Sequence, residues 1–151
     1  MTNGTIFLMT GEAFSAEERM TGEVTLELID RHLVDARSQC REIKQTLDWL
    51  KLHLRIEQKS LRACASRLSD LENRARLARR TGSEVLEGHL EAAIREHEKE
   101  EDALHLRVSD LESRLAVARF TLQRKRRRLV ELKRAREIAL RRKSRSAAPR
   151  A

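Results

Sequence analysis

The 151-residue chain has no tyrosine, one tryptophan, three phenylalanines and a single proline. With aromatics at 3% it lacks the large rings that usually fill the core of a compact domain of this length. Five glycines are too few and too scattered for a Gly-rich phosphate loop. No run of eighteen apolar residues exists to span a bilayer. The first basic residue is Arg19, so no positive region precedes an apolar stretch and no secretory signal is read. There is no Ser-His-Asp elbow, no Walker loop and no pair of carboxylates placed for a cleft, and a catalytic role is not expected.

What remains is charge and aliphatic carbon. Charged residues make up 37% and apolar residues 40%, and more than half of the chain is Ala, Glu, Lys, Leu and Arg, the composition of long helices and coiled coils. A soluble, intracellular, all-α protein is the expectation. The glycines fall at Gly4, Gly11, Gly22, Gly82 and Gly88, and the proline is Pro149, so residues 23–81 and 89–148 contain no helix breaker. Arg79 and Arg80 suit a helix C-terminus, Gly82 suits a left-handed cap, and Thr81 or Ser83 with Glu84 and Glu87 suit the next N-terminus. The predicted fold is a long antiparallel two-helix coiled-coil hairpin over residues 23–145, with arms 23–81 and 84–145 turning near Gly82. Each arm would be roughly 85–90 Å long at the helical rise. A flexible leader, 1–22, and a disordered tail, 146–151, flank it. Gly88, inside the second arm, costs about 1 kcal/mol relative to alanine and predicts local fraying, not a second break.

A heptad stripe runs along the first arm: Ile29, Leu33, Ala36, Cys40, Ile43, Leu47, Leu50, Leu54, Glu57, Leu61, Cys64, Leu68, Leu71, Ala75 and Ala78. The second arm carries Leu104, Val108, Leu111, Leu115, Ala118, Leu122, Lys125, Leu129, Leu132, Arg136 and Ala139. Such alternation of fours and threes predicts a left-handed coiled coil. Nearer the turn the stripe runs Leu86, Leu90, Ala93, His97, Glu101, where two successive steps of four form a stutter. Folding about Gly82 pairs Leu33 with Leu132, Ile43 with Leu122, Leu54 with Leu111 and Ala75 with Leu90, and each pair of numbers adds to 165. Two patterns found separately share one register.

The polar seam positions Glu57, His97, Glu101, Lys125 and Arg136 read as solvated edges of a half-open seam, with register fixing or partner contact as the alternatives. His89, His97 and His105 show no metal-ligand spacing and no accompanying cysteines along their arm. Cys40 and Cys64 lie about 36 Å apart on one helix, too far to bridge, and read as reduced thiols that fill the seam in a reducing compartment. No cofactor, metal or small-molecule substrate is expected.

From Arg124 to Arg145 twelve Lys and Arg stand against Glu131 and Glu137, a net of +10 in a chain whose formal charge is +8. An anionic surface is the expected partner, met by Arg124, Lys125, Arg126, Arg127, Arg128, Lys133, Arg134, Arg141 and Arg142. Specific nucleic-acid reading is not expected, because no aromatics interleave with these residues. Opposite the seam lie Trp49, Leu52 and Ile56 on the first arm and Leu106, Val117 and Phe120 on the second. This second apolar stripe predicts lateral assembly into an oligomer or docking of a partner protein. In the leader, Ile6, Phe7, Leu8, Met9 and Phe14, followed by Glu17 and Glu18, suggest a membrane-touching or docking element as the alternative to disorder.

The segment Glu27-Leu28-Ile29-Asp30-Arg31-His32-Leu33-Val34-Asp35-Ala36-Arg37 resembles the opening of the long hairpin in the phage-shock-protein-A family. Arg79-Arg80-Thr81-Gly82-Ser83-Glu84-Val85-Leu86, continuing into Leu90-Glu91-Ala92-Ala93-Ile94, is similar to that family's hairpin turn. The resemblance covers roughly residues 24–140. It implies a bacterial envelope-stress protein related to the ESCRT-III superfamily, binding anionic inner membrane peripherally from the cytoplasm, or a transcriptional regulator of the AAA+ class. The chain departs from the family in lacking a basic amphipathic N-terminal helix and the later helices that support polymerisation. The alternative reading is a stalk or chaperone component of a flagellar or type III export apparatus, which also uses basic two-helix coiled coils.

Overall fold

Long breaker-free stretches rich in Ala, Leu, Glu and Arg have no competitor to the helix, and two helices account for nearly all of the residues described. The structure is a computed structural model that describes residues 22–147. Helix α1 spans Gly22–Thr81 and helix α2 spans Glu84–Ala147. The two pack against each other, with no strand among the described residues, as an all-α helical hairpin. The helices reach one and two residues beyond the 23–145 span expected from the sequence. The readings made for Ile6, Phe7, Leu8, Met9, Phe14, Glu17, Glu18 and Pro149 lie outside the described residues.

The connection is two residues long and its hydrogen bonds define it. The amide of Gly82 donates to Arg79 O at 3.3 Å and that of Ser83 to Ala78 O at 3.1 Å, the paired closure of a Schellman motif. Gly82 sits at φ 73°, the left-handed region that an L side chain enters at a cost of about 1–2 kcal/mol. Thr81 Oγ1 donates back to Leu77 O and Ala78 O. Ser83 O accepts the first i to i−4 hydrogen bond of the new helix, from the Glu87 amide, at 3.0 Å. Across the turn the Arg79 guanidinium bonds Glu87 and Glu91.

The packed helices divide into two compact units, one of residues 45–120 around the turn and one formed by the chain up to Lys44 with the chain from Thr121. In the turn unit, Leu47, Leu50, Cys64, Leu68, Ala75 and Ala78 of α1 are buried with Leu104, Val108, Leu111 and Leu115 of α2. In the other unit, Leu26, Ile29, Leu33, Ala36 and Leu122 are buried, and Ile43, Leu129, Leu132 and Ala139 are half-buried. Every heptad position read from the first arm is thus buried or half-buried. Ion pairs across the seam mark its register. Arg136 Nε bonds Asp30 Oδ1 at 2.7 Å in one unit, and Arg107 Nη1 stands 3.8 Å from Glu57 Oε1 in the other. The numbers 136 and 30 add to 166, and 107 and 57 to 164, each one away from the 165 read from the leucines.

Leu86 is a correction. It was read as part of the seam, yet half of its surface is exposed. In the common register its opposite residue is Arg79, whose guanidinium turns to Glu87 and Glu91, so no apolar neighbour awaits it. Leu90 and Ala93, both half-buried, carry the seam at this end.

Gly82 and Gly88 predict opposite outcomes. Gly82→Ala is destabilising by about 1–2 kcal/mol, because the left-handed backbone must be kept. Gly88 has helical backbone and open space around an added Cβ, so Gly88→Ala is stabilising by about 0.5–1 kcal/mol. Urea unfolding of both variants checks the pair of signs.

Candidate functional site

The cationic segment lies wholly on α2, in the unit away from the turn. Of the nine residues read as anion-binding, Arg124, Arg126, Arg127, Lys133, Arg134, Arg141 and Arg142 are exposed, and Lys125 and Arg128 are half-buried beside the seam. The heptad places Arg127, Arg134 and Arg141 in one line on the outermost face of the helix, roughly 10 Å apart at 1.5 Å per residue. The facing stretch of α1 offsets little of this charge. Its residues 22–44 hold Glu23, Glu27, Asp30, Asp35 and Glu42 against Arg31, Arg37, Arg41 and Lys44, a balance of −1. Most of the excess of +10 counted over Arg124–Arg145 therefore remains as a surface field.

In the turn unit the apolar residues read opposite the seam are exposed. Trp49, Leu52, Ile56, Leu106, Val117 and Phe120 are all more than half exposed. Trp49, Ile56 and Val117 occupy the heptad position next to the outermost one on the same flank, and Leu52, Leu106 and Phe120 the outermost. In an antiparallel pair these flanks of the two helices lie on one side. The seam register sets Val117 level with Asp48, so Trp49, Ile56 and Val117 share a strip roughly 12 Å long on this flank, while Leu52 faces away from α2 and Leu106 and Phe120 face away from α1. Trp49 stacks on His53, with ring centroids 4.0 Å apart and planes inclined at 35°, which holds the indole against the helix surface.

Of the polar seam residues, Glu57, His97, Glu101 and Arg136 find partners across or along the helices. Glu57 meets Arg107, Arg136 meets Asp30, and Glu101 lies 3.7 Å from His105. His97 was read as having no accompanying cysteine, and here the fold corrects that reading. Cys64 of α1, 1% exposed, directs its thiol across the seam, where Sγ donates to His97 O at 3.4 Å. His97 Nδ1 lies 3.3 Å from Glu100 Oε2. The donor atoms of Cys64, His97 and Glu100 all stand within 4.8 Å of one another. Sequence spacing misses this group because its members lie 33 residues apart on different helices; the shared register is the signal that could have found it. Burial pushes the Cys64 thiol above its ordinary pKa, and the carboxylates of Glu100 and Glu101 push it further, against a smaller opposing effect of Arg67.

Cys64 and Cys40 are both free thiols, one buried and one half-buried. With EDTA present, Cys40 is expected to react with a disulfide reagent at least about tenfold faster than Cys64, whose modification waits on opening of the seam. Rates in Cys40→Ser and Cys64→Ala check this. Compared with known protein families, with characterised proteins and with solved structures, the chain finds no match in any of the three.

Proposed function

We propose that the chain is a non-catalytic hairpin adaptor of the bacterial envelope stress response, similar to the phage-shock-protein-A family. In this reading the cationic segment of α2 rests on anionic phospholipid at the cytoplasmic face of the inner membrane. The turn unit carries the exposed strip around Trp49 for a regulator or another copy of the chain. One observation carries the reading: the line of exposed guanidinium groups at Arg127, Arg134 and Arg141 belongs to an α2 segment of net +10 that faces an α1 stretch of net −1. No helix among the described residues is long and apolar enough to cross a membrane, which suits a peripheral mode of contact. Each basic residue near an anionic leaflet contributes about 1 kcal/mol, and the attraction weakens with salt.

Flotation with vesicles containing phosphatidylglycerol tests the membrane contact. The triple variant Arg127→Glu, Arg134→Glu, Arg141→Glu should bind at least about a hundredfold more weakly, from three contacts of about 1 kcal/mol each. Raised salt should release the native chain. Binding that ignores both changes, or that is equal on neutral phosphatidylcholine, defeats the proposal.

A second reading, a stalk or chaperone component of an export apparatus, is favoured by the apolar strip, since such a surface suits a protein better than a headgroup layer. Capture of an export ATPase without any vesicle binding would select it. Under either reading Trp49 should be covered at high protein concentration or by a partner. Sedimentation should then show self-association that Trp49→Ala and Phe120→Ala weaken, with a blue shift of the native Trp49 emission. A monomer with solvent-like emission under all conditions argues against a docking strip.

A further inference from the structure

The seam of the turn unit is apolar over most of its length, but at Cys64 it brings together donors of three chemistries. A buried sulfur comes from α1; an imidazole and a carboxylate come from His97 and Glu100 of α2, which are one helical turn apart and partly open to solvent. We propose that Cys64, His97 and Glu100 form a binding site for a divalent cation of the zinc class, which joins the two helices across their seam.

The geometry suits such an ion. Tetrahedral zinc holds sulfur at about 2.3 Å and nitrogen or oxygen at about 2.0–2.2 Å, so neighbouring donors stand roughly 3.3–3.6 Å apart. The separation of 3.3 Å between His97 Nδ1 and Glu100 Oε2 is already such an edge. The sulfur lies within 4.8 Å of both and closes the triangle by a movement of about 1 Å within side-chain freedom. A water molecule would take the fourth position, as where three protein ligands hold zinc. On binding, the thiol proton leaves to solvent and the thiolate coordinates the ion.

Two further features point the same way. In the heptad register the α2 stripe at this level is His97 and Glu101, where apolar residues would pack better against a buried thiol. The surrounding α2 stretch holds Glu96, Glu98, Glu100, Glu101 and Asp102 against Arg95 and Lys99, in a chain that is otherwise strongly basic. The carboxylates that disfavour a bare thiolate at Cys64 favour a cation beside it, and Arg67 of α1 is the charge that opposes one.

Cobalt(II) is the probe, added to the reduced, metal-free full chain. Expected are one equivalent bound, a near-ultraviolet sulfur-to-cobalt charge-transfer band, and visible bands of tetrahedral intensity that zinc abolishes by displacement. Cys64→Ala should remove the charge-transfer band. His97→Gln and Glu100→Gln should weaken binding at least about tenfold, and Cys40→Ser should leave it unchanged. Zinc at a hundredfold excess over its dissociation constant should raise the melting temperature of the native chain by roughly 5–10 °C and that of His97→Gln far less. His97→Gln and Glu100→Gln alter partly exposed side chains, so far-ultraviolet circular dichroism should show them as helical as the native chain. Absence of the charge-transfer band, its loss in Cys40→Ser, or its survival at full affinity in His97→Gln overturns the proposal.

Discussion

The burial of one apolar stripe against another is the interaction on which this hairpin depends. The two helices of the described residues share a single internal interface, and each residue lost from it is a larger share of the whole than in a domain with several layers. Ile29, Leu33, Leu47, Leu50, Leu68, Leu104, Leu111, Leu115 and Leu122 are among the large side chains buried in it. Near the turn the buried α1 residues become small, Ala75 and Ala78. Helices approach more closely where contact side chains are small, and close approach is what a two-residue Schellman connection requires. The choice of alanine in the seam and the choice of glycine at position 82 therefore belong to one structural solution.

Because the seam is only one side chain thick, polar groups on it are tolerated when their heads reach water or a partner. Arg136 with Asp30 and Glu57 with Arg107 show this. Each couples the two arms at one level while leaving the side chains partly solvated, and exposed pairs of this kind contribute at most about 1 kcal/mol. Their value lies more in register, since a slip of the arms by one turn would separate both pairs and displace the leucines together. Cys64 differs, because its head group is buried and its polar neighbours approach from the opposite helix.

The outward surfaces of the two units carry different chemistry. Around the turn, Trp49, Ile56 and Val117 lie on one flank, with Phe120 exposed on the outermost face of α2. In the other unit the outermost position of α2 carries a line of guanidinium groups, with Val130, Ile138 and Leu140 exposed beside it. An apolar strip is matched by another apolar surface through loss of hydration, and a cationic line by anions through a field that salt screens. The proposed adaptor role assigns a partner of a different kind to each surface.

Helix identity, the position of the turn at Gly82 and the facing stripes were legible in the sequence, because each depends on local spacing: a period near 3.5 residues, the glycine that a left-handed cap demands, and two stripes that share one register. The cationic line was legible for the same reason, since exposure at Arg127, Arg134 and Arg141 follows from heptad position. What only the packed helices decided is where the polar exceptions go. Leu86 turns outward because Arg79, its opposite residue, bonds Glu87 and Glu91. His97 and Glu100 acquire the sulfur of Cys64 because antiparallel packing brings residues 33 positions apart within a few ångströms. Periodicity along one helix reports which face a side chain is on; which atom it meets there is set by the rotation and register of the other helix, a relation that exists only once both are packed.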